Sequence, residues 1–151
     1  MPSADARRIV VELEPAEDAR ALVRAGLRSF NRQHAVPPDF QPLTLTARTA
    51  TGEILGGAVA ETGWQWLHVD LLWVAEPYRG QGIGRELLHA AERTARERGC
   101  VHSYLDTFDF QALPFYERVG YAVFGIQNDY PPGHDRYYLR KMLVESDAQA
   151  T

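Results

Sequence analysis

Cysteine is nearly missing from this sequence, where Cys100 stands alone. A single thiol builds neither an intramolecular disulfide framework nor a thiolate metal cluster, so neither staple is available to the fold and no metal is expected. Cys100 follows Gly99 at the start of an apolar strand and is expected to be a buried structural thiol. Long apolar runs are missing too, and none approaches the roughly 20 residues of a membrane span. The polar stretch from Met1 to Arg8 lacks the apolar middle of a signal peptide, which makes the cytoplasm the expected compartment. There is no basic stripe, and a net charge of −4 argues against a nucleic-acid partner while favouring a cationic one. No repeat, low-complexity tract or linker interrupts the chain. It reads as one domain over 1–145 with a disordered tail over 146–151.

What is present is an ordinary globular composition, 45% apolar and 24% charged. "RIVVELE", Arg8 to Glu14, reads as a strand, and Pro15 suits the first turn of a helix. Ala19, Leu22, Val23, Leu27 and Phe30 recur at helical spacing and predict a helix over 15–30. A proline-containing loop follows over 31–42. Strands are expected over 43–50 and 53–62, joined at "ATG", and a third over 64–74. A glycine-rich turn then leads into a helix over 82–98 that Gly99 stops. "CVHSYLDTF" is a strand, "QALPFYERVG" a short helix, "YAVFGI" a strand and "RYYLRKML" the last strand. The order is β-α-β-β-β-α-β-α-β-β, an α/β chain with one mixed sheet and helices on both faces.

The strand over 64–74 divides by parity. Leu67, Val69, Leu71 and Trp73 are apolar throughout and are expected to face the core. His68 and Asp70 share the other set, and buried polar groups need a reason. Either they hydrogen-bond each other or a nearby loop, or their face looks into a substrate cleft.

The stretch "VAEPYRGQGIGRELL", 74–88, sets Gly80, Gly82 and Gly84 beside Arg79 and Arg85, where a helix must begin. A helix N-terminus exposes unpaired N–H groups and the positive end of the macrodipole, and glycines let a phosphate approach that backbone closely. Two familiar phosphate loops are excluded. Arg85 stands where the dinucleotide fingerprint needs its third glycine, and there is no Gly-Lys-Ser/Thr.

Arg79-x-x-Gly82-x-Gly84 does resemble the R/Q-x-x-G-x-G/A signature of the GCN5-related N-acetyltransferases, the GNAT family. "LWVAEPYRG" is similar to that family's strand end, with the proline displaced by one residue. "DFQALPFYERVGY", 109–121, resembles its N-x-x-A-x-x-F-Y-E-K-x-G-F helix, with Ala112, Phe115, Tyr116, Glu117, Gly120 and Tyr121 at matching positions. The resemblance runs from Arg8 to about Met142 and implies the GNAT fold with acetyl-CoA as acyl donor. It departs at Asp109, where the family has an asparagine that contacts the pantetheine arm.

The resemblance implies transfer of acetyl to a primary amine; a polyamine-like compound, an aminoglycoside-type drug, a peptide N-terminus and a protein lysine are all open, and the acidic balance of the chain favours a small cationic molecule. Tyr116 would be the general acid for the leaving thiolate. Asp70 and His68 are the leading bases, with Glu76 the rival at the loop mouth and a water chain another route. Backbone N–H groups around Leu72, Trp73 and Val74, at a bulge, would stabilise the oxyanion. Arg79, Gly80, Gln81, Gly82, Ile83, Gly84 and Arg85 would hold the pyrophosphate, and Asp109, Ala112 and Phe115 would line the arm. Phe30 and His34 in one loop, and Tyr130 and His134 in "NDYPPGHDRYY", are the candidate acceptor residues, the second loop being equally readable as a stiffened hairpin. Dimerisation through the final strands or exposed aromatics is open. So are two other functions, a non-catalytic acyl-CoA-binding module and a nucleotide-binding regulator.

Overall fold

The computed structural model describes residues 9–11, 13 and 16–144. The chain divides into two compact units, Met1–Pro37 and Pro38–Thr151.

In the first unit, helix α1 spans Glu17–His34. Glu17 and Asp18 in its first turn and Arg32 and His34 in its last match the helix dipole. The helix continues four residues past the expected end, so Phe30 and His34 are helical neighbours, their ring centroids 4.4 Å apart, rather than loop residues. The strand expected over 8–14 lies partly outside the described residues, at Arg8, Glu12 and Glu14. Ile9, Val10, Val11 and Leu13 are described, pair with no strand and are exposed. Pro15 and the expected tail beyond Glu145 also lie outside them.

The second unit is a six-stranded mixed sheet. Its strands are β1 (Gln41–Arg48), β2 (Ile54–Gly63), β3 (Trp66–Val74), β4 (His102–Phe108), β5 (Ala122–Gln127) and β6 (Arg136–Met142). They lie in the order β1-β2-β3-β4-β6-β5, and only β3 and β4 run parallel. That parallel pair needs a crossover, supplied by helix α2 (Ile83–Glu97), while α3 (Leu113–Arg118) links β4 to β5. Both helices pack into one core on one face, where Leu88, Ala91, Ala95 and Tyr116 meet Leu67, Val69, Leu105 and Leu139.

Both helices stop in the same way. Gly99 at φ +86° lets Cys100 N–H donate to Ala95 O and Gly99 N–H to Arg96 O. At Gly120, φ +98°, Tyr121 N–H reaches Tyr116 O and Gly120 N–H reaches Glu117 O. Each set closes a Schellman motif, and the second fixes the height of Tyr116 against the sheet. Cys100 is buried beside the first, as its position predicts.

Two expectations are corrected. Trp64 is not in a strand. With Gln65 it forms a two-residue turn between β2 and β3, both at positive φ (49° and 65°), the geometry whose twist suits a tight hairpin. The parity of β3 also breaks. Val59 of β2 pairs with Leu71 but the next residue, Ala60, pairs with Val69, so Asp70 is the extra residue of a β-bulge. The bulge turns the later side chains over. Leu71 and Trp73, expected in the core, are 60% and 55% exposed, and Leu72 and Val74 take the inner side.

A buried charge ties the core helix to the sheet. Glu92 on α2 is 1% exposed and accepts two hydrogen bonds from Lys141 Nζ, at 2.8 and 3.2 Å, and one from the Tyr121 hydroxyl. Arg96 Nη2 stands 3.6 Å away, so losing the lysine leaves the carboxylate partly compensated. Lys141→Ala is expected to destabilise the fold by about 1.5 kcal/mol, the scale of one hydrogen bond to a charged group. Chemical denaturation of the two proteins measures it.

Candidate active site

The sheet opens where β3 and β4 part. Their ladder ends at Val69 opposite Leu105, yet β3 runs on to Val74 and β4 stays paired with β6 as far as Phe108. Beyond Val69 the edge of β3 that faced β4 therefore has no strand partner, and its main-chain groups look into the gap. The bulge at Asp70 begins at this point and increases the local twist.

Two cavities meet at the gap. The larger, about 760 Å³, is lined by Gly80, Gly82, Ile83 and Gly84 of the glycine turn, and by Ala112, Phe115 and Tyr116 of the α3 region. Arg79, Arg85 and Arg118 also line it, and no carboxylate does. The smaller, about 560 Å³, includes Asp70, Trp73, Asp106, Phe110 and Gln111. Leu72, Val74, Arg79, Ala112 and Tyr116 line both.

The glycine turn is shaped for close approach to backbone. Gly80 and Gly82 hold φ +75° and +85°, a region that L side chains rarely adopt, and a Cβ at either would meet no protein atom within 4 Å. Gly82 is the N-cap of α2 and receives no side-chain cap, so the first N–H groups of that helix have no side-chain acceptor at the cap position. A short 3₁₀ turn, Glu76–Tyr78, leads in, and Arg79 Nε donates to Val74 O at 2.9 Å, tying the turn to the end of β3. An open concave surface of amide donors flanked by three arginines fits a diphosphate. The apolar side chains of Leu72, Val74, Ala112 and Phe115 on the same cavity suit the arm of coenzyme A.

Tyr116 sits between the two cavities, 7% exposed. Its hydroxyl is pushed up to about 12, mainly by burial and secondarily by the Asp106 carboxylate. It therefore keeps its proton at neutral pH. Asp106 is itself held by Arg136, whose Nε and Nη2 both lie 2.8 Å from Oδ2.

Several candidates from the sequence come together here. Leu72, Val74, Arg79, Gly80, Gly82, Ile83, Gly84, Arg85, Ala112, Phe115 and Tyr116 all line the larger cavity, and Asp70 and Trp73 line the smaller one. Others stand apart. His68 lines neither cavity and stacks on Tyr104 at 4.4 Å and 5°. Gln81 lines neither, and its amide reaches back to Pro77 O at 3.5 Å.

Asp109 is spent on the loop that follows β5. Its Oδ1 pairs with His134 Nδ1 at 2.8 Å, and its Oδ2 accepts the Asp135 N–H at 3.0 Å. The Asp135 N–H, then the His134 contact, hold this carboxyl below its ordinary value. His134 is thus a clasp on that loop. Tyr130 flanks it, stacked 6.2 Å from Phe108. Phe30 and His34 belong to the first unit, where they form the ring pair described above.

Sequence reasoning missed Tyr78, Arg118 and Val119 on the larger cavity and Asp106, Thr107, Phe110 and Gln111 on the smaller. A signal for Asp106 existed, since it shares the outward parity of β4 with His102 and Tyr104. Among the described residues no cluster of three or more His, Cys, Asp or Glu could hold a metal ion, and no helix is long and apolar enough to cross a membrane.

The chain is similar to known proteins in both sequence and structure. A model of the acetyltransferase (GNAT) family matches residues 12–121. A Blasticidin-S acetyltransferase from Streptomyces morookaense is 43% identical over 135 residues, covering 87% of this chain and 96% of that protein. A streptothricin acetyltransferase from Streptomyces lavendulae is 36% identical over 94 residues, 60% of this chain and 50% of that protein. The crystal structure of an acetyltransferase from Bacillus cereus superposes with a TM-score of 0.84 at 30% identity, covering 88% of this chain and 97% of that one.

Proposed function

The chain belongs to the acetyltransferase (GNAT) family, and on that premise we propose that it transfers acetyl from acetyl-CoA to a primary amine of a small cationic molecule. One observation carries the reading. Two cavities meet at Tyr116, one lined by Arg85 and Arg118 with no carboxylate and the other containing Asp70 and Asp106, and Arg79 stands where they join. The first suits an anionic donor and the second a cationic acceptor. The names of the two Streptomyces relatives, a Blasticidin-S acetyltransferase and a streptothricin acetyltransferase, point the same way.

Acetyl-CoA supplies an activated acyl thioester; the chain supplies binding, aim and proton transfer. The amides at Gly80, Gly82 and the start of α2 hold the diphosphate, with the arginines adding charge. Main-chain N–H groups on the unpaired edge of β3, around Leu72 to Val74, donate to the acyl oxygen as negative charge grows there. Asp70, in the acceptor cavity and at the bulge, draws in the ammonium group and accepts its proton directly or through water. As the C–N bond forms and the C–S bond breaks, the Tyr116 hydroxyl, protonated at neutral pH, gives its proton to the departing sulfur and regains one through water from the nitrogen that becomes the amide. We infer a cytoplasmic enzyme, because acetyl-CoA is an intracellular metabolite.

Thiol release from acetyl-CoA in the presence of blasticidin S, streptothricin and simple polyamines tests the reading. Turnover with cationic amines supports it; tight acetyl-CoA binding with no turnover of any amine contradicts it. Asp70→Asn is expected to raise the acceptor KM about fivefold, the scale of one exposed charge contact of about 1 kcal/mol. Its KM for acetyl-CoA should stay at the wild-type value.

A further inference from the structure

The acceptor cavity carries two aromatic walls that the second unit leaves exposed. Trp73, near the end of β3, is 55% exposed, and Phe110, just after β4, is 57% exposed; both line the 560 Å³ cavity. Phe110 is held in orientation. Its ring stacks on Phe108 at 5.2 Å and 4° and meets His134 edge-on at 4.8 Å. A carboxylate lining the same cavity is equally fixed. Arg136, which grips Asp106 through Oδ2, has its guanidinium over the rings of Phe108, Tyr130 and Tyr138 at 5.6, 5.1 and 5.2 Å. Among the described residues no donor meets Asp106 Oδ1, so that oxygen can accept from a ligand.

Large aromatic surfaces left uncovered inside a concave site mark a place where an apolar or π-rich group docks. Their faces favour flat conjugated rings in offset or edge arrangements, and they favour cations. We propose that Trp73 and Phe110 are specificity-determining residues for the acceptor, taking a flat conjugated ring of the amine substrate while Asp106 Oδ1 accepts an N–H from its cationic part. The inference rests on the acetyl-transfer reading and narrows the acceptor class to amines that carry such a ring. It gives the bulge at Asp70 a second consequence, since the reversal of side-chain parity there is what brings Trp73 out of the core.

The test compares two dications with the same number of bonds between their nitrogens, p-xylylenediamine and 1,6-diaminohexane, which differ in having or lacking a ring. The wild-type enzyme is expected to show a KM about tenfold lower for the ring-bearing diamine, the factor that one aromatic contact of about 1.4 kcal/mol gives. In Trp73→Ala and in Phe110→Ala the ratio of the two KM values falls to about one. Trp73→Leu, which keeps apolar bulk without a π face, loses the preference as well, and thermal melts show that each variant is folded. Equal KM values in the wild type, or a preference that survives both alanine variants, overturns the inference while leaving acetyl transfer standing. Variants that dissociate a dimer without moving the ratio overturn it too, because the rings then serve an interface. No coenzyme A release with either diamine or with any cationic antibiotic overturns the underlying reading instead.

Discussion

Gly82→Val is expected to weaken coenzyme A binding about 100-fold, which corresponds to about 2.7 kcal/mol. The protein has room for the side chain, because a Cβ at Gly82 meets nothing within 4 Å. The defect lies in the backbone and in the ligand's own space. Gly82 holds φ +85°, and a side chain there costs about 1–2 kcal/mol while the turn keeps its shape. If the turn relaxes to escape that strain, the amides at 80–83 leave their common aim, and each lost hydrogen bond to a charged phosphate costs about 1.5–3 kcal/mol. Either route lowers affinity, and the valine also occupies the open side of the turn. Isothermal titration with coenzyme A reads the change. An affinity within twofold of wild type would remove the glycine turn from the binding site.

Tyr116→Phe is expected to lower kcat about 10–100-fold with little change in the KM for acetyl-CoA, because a thiolate leaves fairly well without help. The substitution keeps the ring that packs beside Phe115 and Tyr121, so a loss of rate is a loss of the hydroxyl rather than of the core. A stability signature separates the two roles. The folded hydroxyl titrates at about 12 and an unfolded tyrosine at 10.0. Below pH 10 both states hold the proton and Tyr116 adds no slope. As pH rises from 10 to 12 the unfolded chain gives up its proton first, so stability falls through that window. The phenylalanine variant lacks this contribution and should lose stability less steeply there. Chemical denaturation across pH 8–11 compares them, and identical slopes would contradict the burial assigned to the hydroxyl.

How much of the fold and the site was legible in advance follows from how local each feature is. The glycine turn was readable because its chemistry is contained in six residues, where left-handed glycines and a helix start leave few alternatives. Gly99 and Gly120 gave away the helix ends for the same reason. The bulge was not readable. Leu71, Leu72, Trp73 and Val74 are all apolar, so sequence parity could not reveal that β3 turns over at Asp70. Trp64 hid its turn because tryptophan is not a turn residue, although two positive φ values place it in one. Asp106 was missed because its role exists only once β4 parts from β3. Asp109 showed a departure from the family pattern, but its partners, His134 and Asp135, lie 25 and 26 residues away, beyond what spacing predicts. The site is thus half local chemistry, which the sequence carries openly, and half a gap between strands that only folding creates.

The proposed transfer depends on main-chain donors at the head of α2 holding the diphosphate of the acyl donor and thereby aiming its thioester into the gap beside Asp70. Calorimetric titration of the intact protein with coenzyme A and with pantetheine, which keeps the thiol arm and lacks the diphosphate, isolates that grip. Coenzyme A is expected to bind at least about 100-fold more tightly than pantetheine, the margin of two charge-assisted hydrogen bonds. Comparable affinities for the two would contradict it.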